Sequence, residues 1–347
     1  MDITFFIGNG FDLSRQLETS YIDFYKFLVD DQKIKKRIKK DNYFLEAIKK
    51  FMIDTKDINV TEDDASDVDW ADFEKALGQY TINLKNETES EKYLNDLDDF
   101  RFDFIEYIDS QQNNYTVTED MAKKMFEKLR LNFYIGIEKQ NEIRIKNLLK
   151  STNNPTYYFN FVNFNYTDTL NNIIKFTKQI NDSNNGRFIC REPIHVHRKL
   201  RTGAFLGVND ISQISNPDVF KERSLRDIIK PELQNYDDGT IPKTINSLIN
   251  KTQIYFIFGM SMGVTDKLWW EKIATQVISN SNKFLIINKY LNDEDKGEAE
   301  LLPRQKRIFK DKVIDEFLNN LELSKDQQTA LLDRTFVILG SKNIFEL

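Results

Sequence analysis

The sequence predicts an α/β protein, a doubly wound parallel sheet interrupted by a large and mostly helical insertion. Three observations lead there. The runs Ile3–Ile7, Ile254–Phe258, Phe284–Asn288 and Thr335–Leu339 are nearly all apolar, the pattern of strands covered on both faces. Helical periods lie between the runs. The long stretch from Ile7 to Tyr157 is dominated by apolar residues at three- and four-residue steps.

Taken in order, Ile3–Ile7 is a short β-rich run that enters Gly8-Asn9-Gly10. The chain has 12 glycines in 347 residues, so a pair one residue apart points to a tight turn or a close backbone approach. Strand, Gly-x-Gly turn and helix together form an anion-binding geometry, because free N–H groups face the phosphates. A tight turn without a ligand explains the pair equally well. The third glycine of a dinucleotide fingerprint is missing, since Arg15 and Gln16 follow.

Helices are expected at Tyr21–Val29, Asn42–Ile53, Asp72–Leu77, Leu94–Ile108 and Met121–Leu149, with an acidic loop at Thr55–Asp69. This places a helical insertion at 21–150, a cover or lid or else a partner surface. Residues 1–20 and 151–347 are left for the α/β core. Further strands are expected at Tyr157–Val162, His195–His197 and Ala204–Gly207. Residues 209–247 read as an irregular connection with a short helix near Val219–Ile229, and 292–303 as a charged loop. Helices at Lys306–Leu318 and Asp326–Leu332 precede the last strand.

Bulk properties narrow the function. Hydrophobic residues make up 40%, enough for a sizeable core, and the formal net charge of −6 argues against a protein that blankets nucleic acid. The single cysteine, Cys190, excludes an intrachain disulfide and fits a reducing cytosol. Nothing beside it in sequence would activate it. The first apolar run is too short for a signal peptide, and none approaches the roughly 18 residues of a membrane span. A cytoplasmic location is expected.

Three more segments fall at strand ends, where open α/β sheets bind ligands. In Asn163–Leu170, Thr167 or Asp168 can cap the next helix, which leaves the Asn165 amide for a hydroxyl or a water. Ile194-His195-Val196-His197 holds both histidines of the chain. A general base of near-neutral pKa is the sharper reading, and a structural histidine the plainer one. A metal pair lacks a third ligand, so no metal is expected. In Gly259–Asp266, Thr265 or Asp266 can cap a helix. The Gly259-x-Ser261-x-Gly263 spacing matches a hydrolase elbow, but both histidines precede Ser261, the wrong order for that triad.

Together these segments resemble the AbiH family of bacterial phage-abortive-infection proteins. The resemblance rests on Ile7-Gly8-Asn9-Gly10-Phe11-Asp12, Thr19-Ser20-Tyr21-x-Asp23-Phe24, Trp70-x-x-x-Glu74, Phe164-Asn165-Tyr166-Thr167-Asp168, His195-Val196-His197 and Gly259-x-Ser261-x-Gly263-x-Thr265-Asp266. The family usually has glycine after the second histidine, where this chain has Arg198. The motif order is also similar to that of sirtuin-like NAD-binding domains. That remoter resemblance implies a Rossmann-like core with NAD as substrate or ligand. By it, Gly8, Asn9, Gly10, Phe11 and Asp12 would line the pyrophosphate turn, although Asp12 stands where such domains often have serine. Asn165 and Tyr166 would lie at the nicotinamide ribose, Asn165 positioning a water. His197, or less directly His195, would be the base. Gly259, Ser261 and Asp266 would lie near the adenosine half.

The implied role is a phage-defence effector that binds and hydrolyses NAD at the nicotinamide–ribose bond. An unnamed phage trigger would be its partner, and homo-oligomerisation is left open. The cleavage passes through an oxocarbenium-like state, for which a base, a held water and a cover suffice. Two alternatives stand beside it. One is a sensor that binds a nucleotide signal without turnover. The other is a nuclease or translation-blocking toxin, for which the basic runs Lys33–Lys40 and Lys139–Lys150 are the available patches.

Overall fold

A computed structural model describes residues 1–29, 37–39, 41–48, 70–151, 156–177, 187–200, 206–236, 239–263, 266–340 and 345. The acidic segment Thr55–Asp69, Thr265, most of Lys33–Lys40, and the ends of the expected elements beyond residue 48 and at 204–205 lie outside the described residues.

Seven strands form one parallel sheet: β1 (Asp2–Ile7), β2 (Thr156–Asn163), β3 (Arg187–Cys190), β4 (Ile194–His195), β5 (Ile254–Phe258), β6 (Phe284–Lys289) and β7 (Thr335–Leu339). Their order is β3-β2-β1-β5-β6-β7, with β4 also on β2. The chain builds outward from β1 through β2, then crosses back to add β5 on the other side. The Rossmann-like switch point therefore lies between β1 and β5. Ile7 is level with Asn163 and Phe258, so the three central strands end together.

Alternation along each strand fills both faces. Ile3, Phe5 and Ile7 point into one apolar cluster with Phe159, Phe161, Phe256 and Ile286. Phe6 points into the other, with Tyr255, Ile257, Leu285 and Trp270. Each such buried side chain contributes roughly 1.5–3 kcal/mol of transfer free energy. The second face is covered by the helices Thr240–Lys251, Lys267–Ser279, Pro303–Leu318 and Lys325–Leu332.

Packing divides the helical stretch between β1 and β2. The helices Glu119–Asn132 and Lys139–Lys150 join the first sheet cluster through Met125, Leu129 and Ile145. They serve as the crossover cover, and Gly136 (φ +106°) turns the chain between them, so Met121–Leu149 is two helices, not one. Described residues between 21 and 108, among them Phe24, Phe44, Leu77 and Phe104, instead share a separate aromatic-rich cluster with Leu200, Leu206, Val208 and Phe220. Its spine is the helix Glu87–Asn113, capped by the Asn86 side chain on the Glu89 N–H at 3.0 Å.

Three local expectations need correction. The segment expected as a charged loop holds the helix Asp293–Leu301. Asn292 accepts from the Asp295 N–H at 2.7 Å, and Asp293, Glu294 and Asp295 face the positive end of the helix dipole. The histidine strand ends at His195, which puts His197 in the following bend. Residues 209–247 are more regular than expected, since the helices Lys230–Tyr236 and Thr240–Lys251 begin there.

Candidate functional site

At the switch point the two glycine turns pack on each other. Gly8 N–H donates to Phe258 O and Gly10 N–H to Gly259 O, both at 2.9 Å. A Cβ on Gly8 would lie 2.5 Å from the Gly259 oxygen, and one on Gly10 2.6 Å from the Gly259 Cα. Gly259 itself has φ +64°. The glycines are thus accounted for by backbone-to-backbone contact. Phe11 and Asp12 also donate their N–H groups within the turn, so the N–H groups of Gly8, Gly10, Phe11 and Asp12 are engaged by protein. The helix that follows, Gly10–Leu13, is a single turn.

The side chains of this motif divide similarly. The Asn9 amide exchanges two hydrogen bonds with Thr19, at 3.0 and 2.7 Å. Phe11 is fully buried under the Arg15 guanidinium, 3.5 Å from the ring centre. Asp12 is buried, and Thr167 Oγ1 donates to its Oδ2 at 2.7 Å. Thr167 therefore serves Asp12 and not the helix Thr169–Thr177. Burial raises Asp12 to about 6 against the opposing pull of Thr167 and Arg15. Its Oδ1 has no hydrogen-bond partner among the described residues.

His195 is held at both ring nitrogens. Its Nδ1–H donates to Asn165 O at 2.9 Å, and Nε2 lies 2.7 Å from the Asn171 amide. The Nδ2 of Asn171 has no partner among the described residues, so turning that amide over puts an N–H on Nε2 and leaves the amide oxygen open instead. Burial lowers His195 to about 4 and keeps it neutral. The ring fastens the Asn165 backbone. The Asn165 side-chain Nδ2 is buried with no partner among the described residues.

His197 sits differently. Its Nδ1 is buried and has no partner among the described residues, and its Nε2 lies 3.7 Å from Asp266 Oδ1. The ring is clasped by the neighbours of Asn165, Phe164 edge-on at 5.6 Å and Tyr166 stacked at 5.8 Å. Asp266 occupies the N-cap position of Lys267–Ser279 but makes no side-chain cap bond. Its Oδ1 is also 3.7 Å from the Nζ of buried Lys230, which pairs with Glu74 Oε2 at 2.7 Å. Glu74 arrives on the helix Trp70–Tyr80, so the cluster joins the helical segment to the sheet edge. Burial raises Glu74 to about 7 and also raises Asp266, in both cases against Lys230. Burial opposes the charge on Lys230, but Asp266 and Glu74 outweigh it and raise the ammonium. Burial, then Lys230 and His195, push His197 well below its usual value, which leaves a neutral imidazole.

His197, Lys230, Asp266, Asn209 and Trp269 line a small cavity of about 20 Å³. Sequence reasoning had His197 as a base and Asp266 as a residue near the adenosine half of a dinucleotide. Glu74 stood in a quoted motif without a role, and Lys230 was missed. Its one local signal is a lysine directly after Ile228-Ile229 and before Pro231. Ser261 is exposed on its turn. Arg198, at the position where the family has glycine, adopts φ +66°, the backbone conformation glycine favours. In the basic helix Lys139–Lys150, Lys139 and Lys146 pair with Glu142, and Arg144 with Asp333. That helix presents a paired surface, not a bare basic stripe.

No described helix is long and apolar enough to cross a membrane, and no three described His, Cys, Asp or Glu side chains group as a metal site. The family described as Bacteriophage abortive infection AbiH matches residues 4–288. No curated protein and no solved structure matches the chain.

Proposed function

Because the chain belongs to the AbiH family of bacteriophage abortive-infection proteins, we propose that it is a defence effector whose sheet-edge site hydrolyses NAD at the nicotinamide–ribose bond. The observation that carries this reading is the pair of buried, unpartnered polar atoms, His197 Nδ1 and Asn165 Nδ2, at the ends of adjacent strands. Buried polar groups are normally paired, and those left open are where a ligand atom fits. The cavity beside His197 has room for about one water, so it suits the attacking water.

In this reading Asn165 donates to the attacking water or a ribose hydroxyl, and neutral His197 accepts the water proton. The water oxygen bonds to ribose C1′. The C1′–nitrogen bond breaks with its electron pair staying on the ring, so nicotinamide leaves neutral and one proton reaches solvent. Tyr166, Phe164 and Trp269 restrict bulk water.

The test is nicotinamide release from NAD by purified protein, with and without phage lysate, beside Asn165→Ala and His197→Ala. Turnover in the wild type that falls at least about a hundredfold in both variants is expected. Intact NAD recovered stoichiometrically after denaturation would favour a sensor, and neither turnover nor binding would end the nucleotide reading.

A further inference from the structure

The geometry points to Glu74 and Lys230 as positioning residues: Lys230, anchored by Glu74, holds Asp266 against Nε2 of His197 and so keeps Nδ1 as the proton-accepting atom. This rests on the proposed hydrolysis for its consequence, but its structural content stands apart from it.

A neutral imidazole carries its proton on one nitrogen, and the partner of that nitrogen decides which. His197 Nε2 faces a carboxylate oxygen at 3.7 Å, while Nδ1 faces no hydrogen-bonding atom among the described residues. An ionised carboxylate only accepts, so it favours the proton on Nε2 and leaves the lone pair on Nδ1.

Asp266 must then be kept in place. It makes no cap bond to its own helix, and Lys230 Nζ lies 3.7 Å from the same oxygen that faces His197. Lys230 is itself buried and tied to Glu74 at 2.7 Å, and Glu74 Oε1 accepts from Gly207 N–H at 3.5 Å. The groups that face His197 are thus Asp266, Lys230, Tyr166 and His195. Lys230 also disfavours charge on the ring, which helps keep His197 neutral.

One consequence concerns the helical segment. Glu74 sits on Trp70–Tyr80, whose Leu77 packs in the aromatic-rich cluster and not against the sheet. The base is therefore assembled only when that helix is docked. Displacing the helix removes Glu74 from Lys230 and frees Lys230 to turn from Asp266.

The chain has two histidines, so imidazole ¹⁵N NMR of the full-length protein resolves both rings. In the wild type His197 should be the Nε2–H tautomer and stay neutral to acid pH. Lys230→Met should raise the His197 midpoint by at least about one pH unit. The isosteric Glu74→Gln should change the His197 tautomer balance. Lys230→Arg should restore the wild-type ring signals. His195 should keep its Nδ1–H signal throughout and report that each variant is folded. In turnover, kcat should fall about tenfold or more while KM moves less than about threefold. An unchanged His197 tautomer and midpoint in folded Glu74→Gln and Asp266→Asn would overturn the inference. A wild type with the expected tautomer but no NAD turnover would remove the hydrolase reading and leave the positioning role supported.

Discussion

Replacing Gly8 by alanine should remove much of this protein's stability without touching any proposed chemical group. The added Cβ would stand 2.5 Å from the Gly259 oxygen and 2.5 Å from Met260 Cγ. The methionine can move. The carbonyl cannot move freely, because it accepts the Gly10 N–H at 2.9 Å, and Gly8 N–H is itself fixed on Phe258 O at 2.9 Å. Relief therefore means overpacking, about 1–3 kcal/mol, plus loss or stretching of a buried backbone hydrogen bond, a further 1–3 kcal/mol or so. A loss of about 4 kcal/mol is expected, read from urea unfolding midpoints at constant slope. Gly297 is the control. It lies inside the helix Asp293–Leu301 with nothing within 4 Å of its Cβ position, so Gly297→Ala should stabilise by about 0.5–1 kcal/mol. A Gly8→Ala protein within 1 kcal/mol or so of the wild type would refute the turn-on-turn account. It would return the glycines to ligand binding.

Two further outcomes follow from the same structure. Arg198→Gly should stabilise by about 0.5–1 kcal/mol, since a non-glycine residue at φ +66° costs roughly 1–2 kcal/mol and the added freedom of the unfolded chain returns part of that. A higher urea midpoint checks it, and a drop would show that the Arg198 side chain outweighs its backbone strain. The stability difference between wild type and His195→Gln should shrink by about 3 kcal/mol from pH 7 to pH 4. Burial holds the folded His195 at about 4 while the unfolded chain takes up its proton near 6.5, so His195 stabilisation is full above 6.5 and is lost as pH falls towards 4. Glu74 and Asp12, raised to about 7 and about 6, act oppositely and gain stability on acidification, so the difference between the two proteins is what isolates His195. A difference independent of pH would contradict a buried neutral ring.

The frame was legible where a residue's neighbours in sequence are also its neighbours in space. β1, β5, β6 and β7 are buried on both faces, so their lack of alternation identified them. β3 was missed because Arg187–Cys190 is short, begins with a charge and lies at the sheet edge. The helix at Asp293–Leu301 was missed because its acids were counted as loop composition and not as first-turn residues behind an Asn cap.

The site divides along the same line. The histidines were legible because the chain has no others, and their different fates were not. His195 and His197 are two residues apart, yet one is satisfied at both nitrogens and the other is open at Nδ1. Sequence cannot separate them, because the difference comes from Asn171 on an earlier helix and Asp266 beyond β5. Asp266 shows which effect wins. Local rules assign it to capping its helix, worth about 1 kcal/mol. A buried ammonium without a counter-charge costs several kcal/mol, and Lys230 lies 3.7 Å away. The stronger demand of the ammonium claims the carboxylate, and the cap bond is left unmade. Glu74 answers to the same arithmetic from a helix 156 residues distant in sequence from Lys230. A charge buried against its local rule is therefore the feature that ties the helical segment to the sheet edge, and it is where a signal acting on that segment would reach His197.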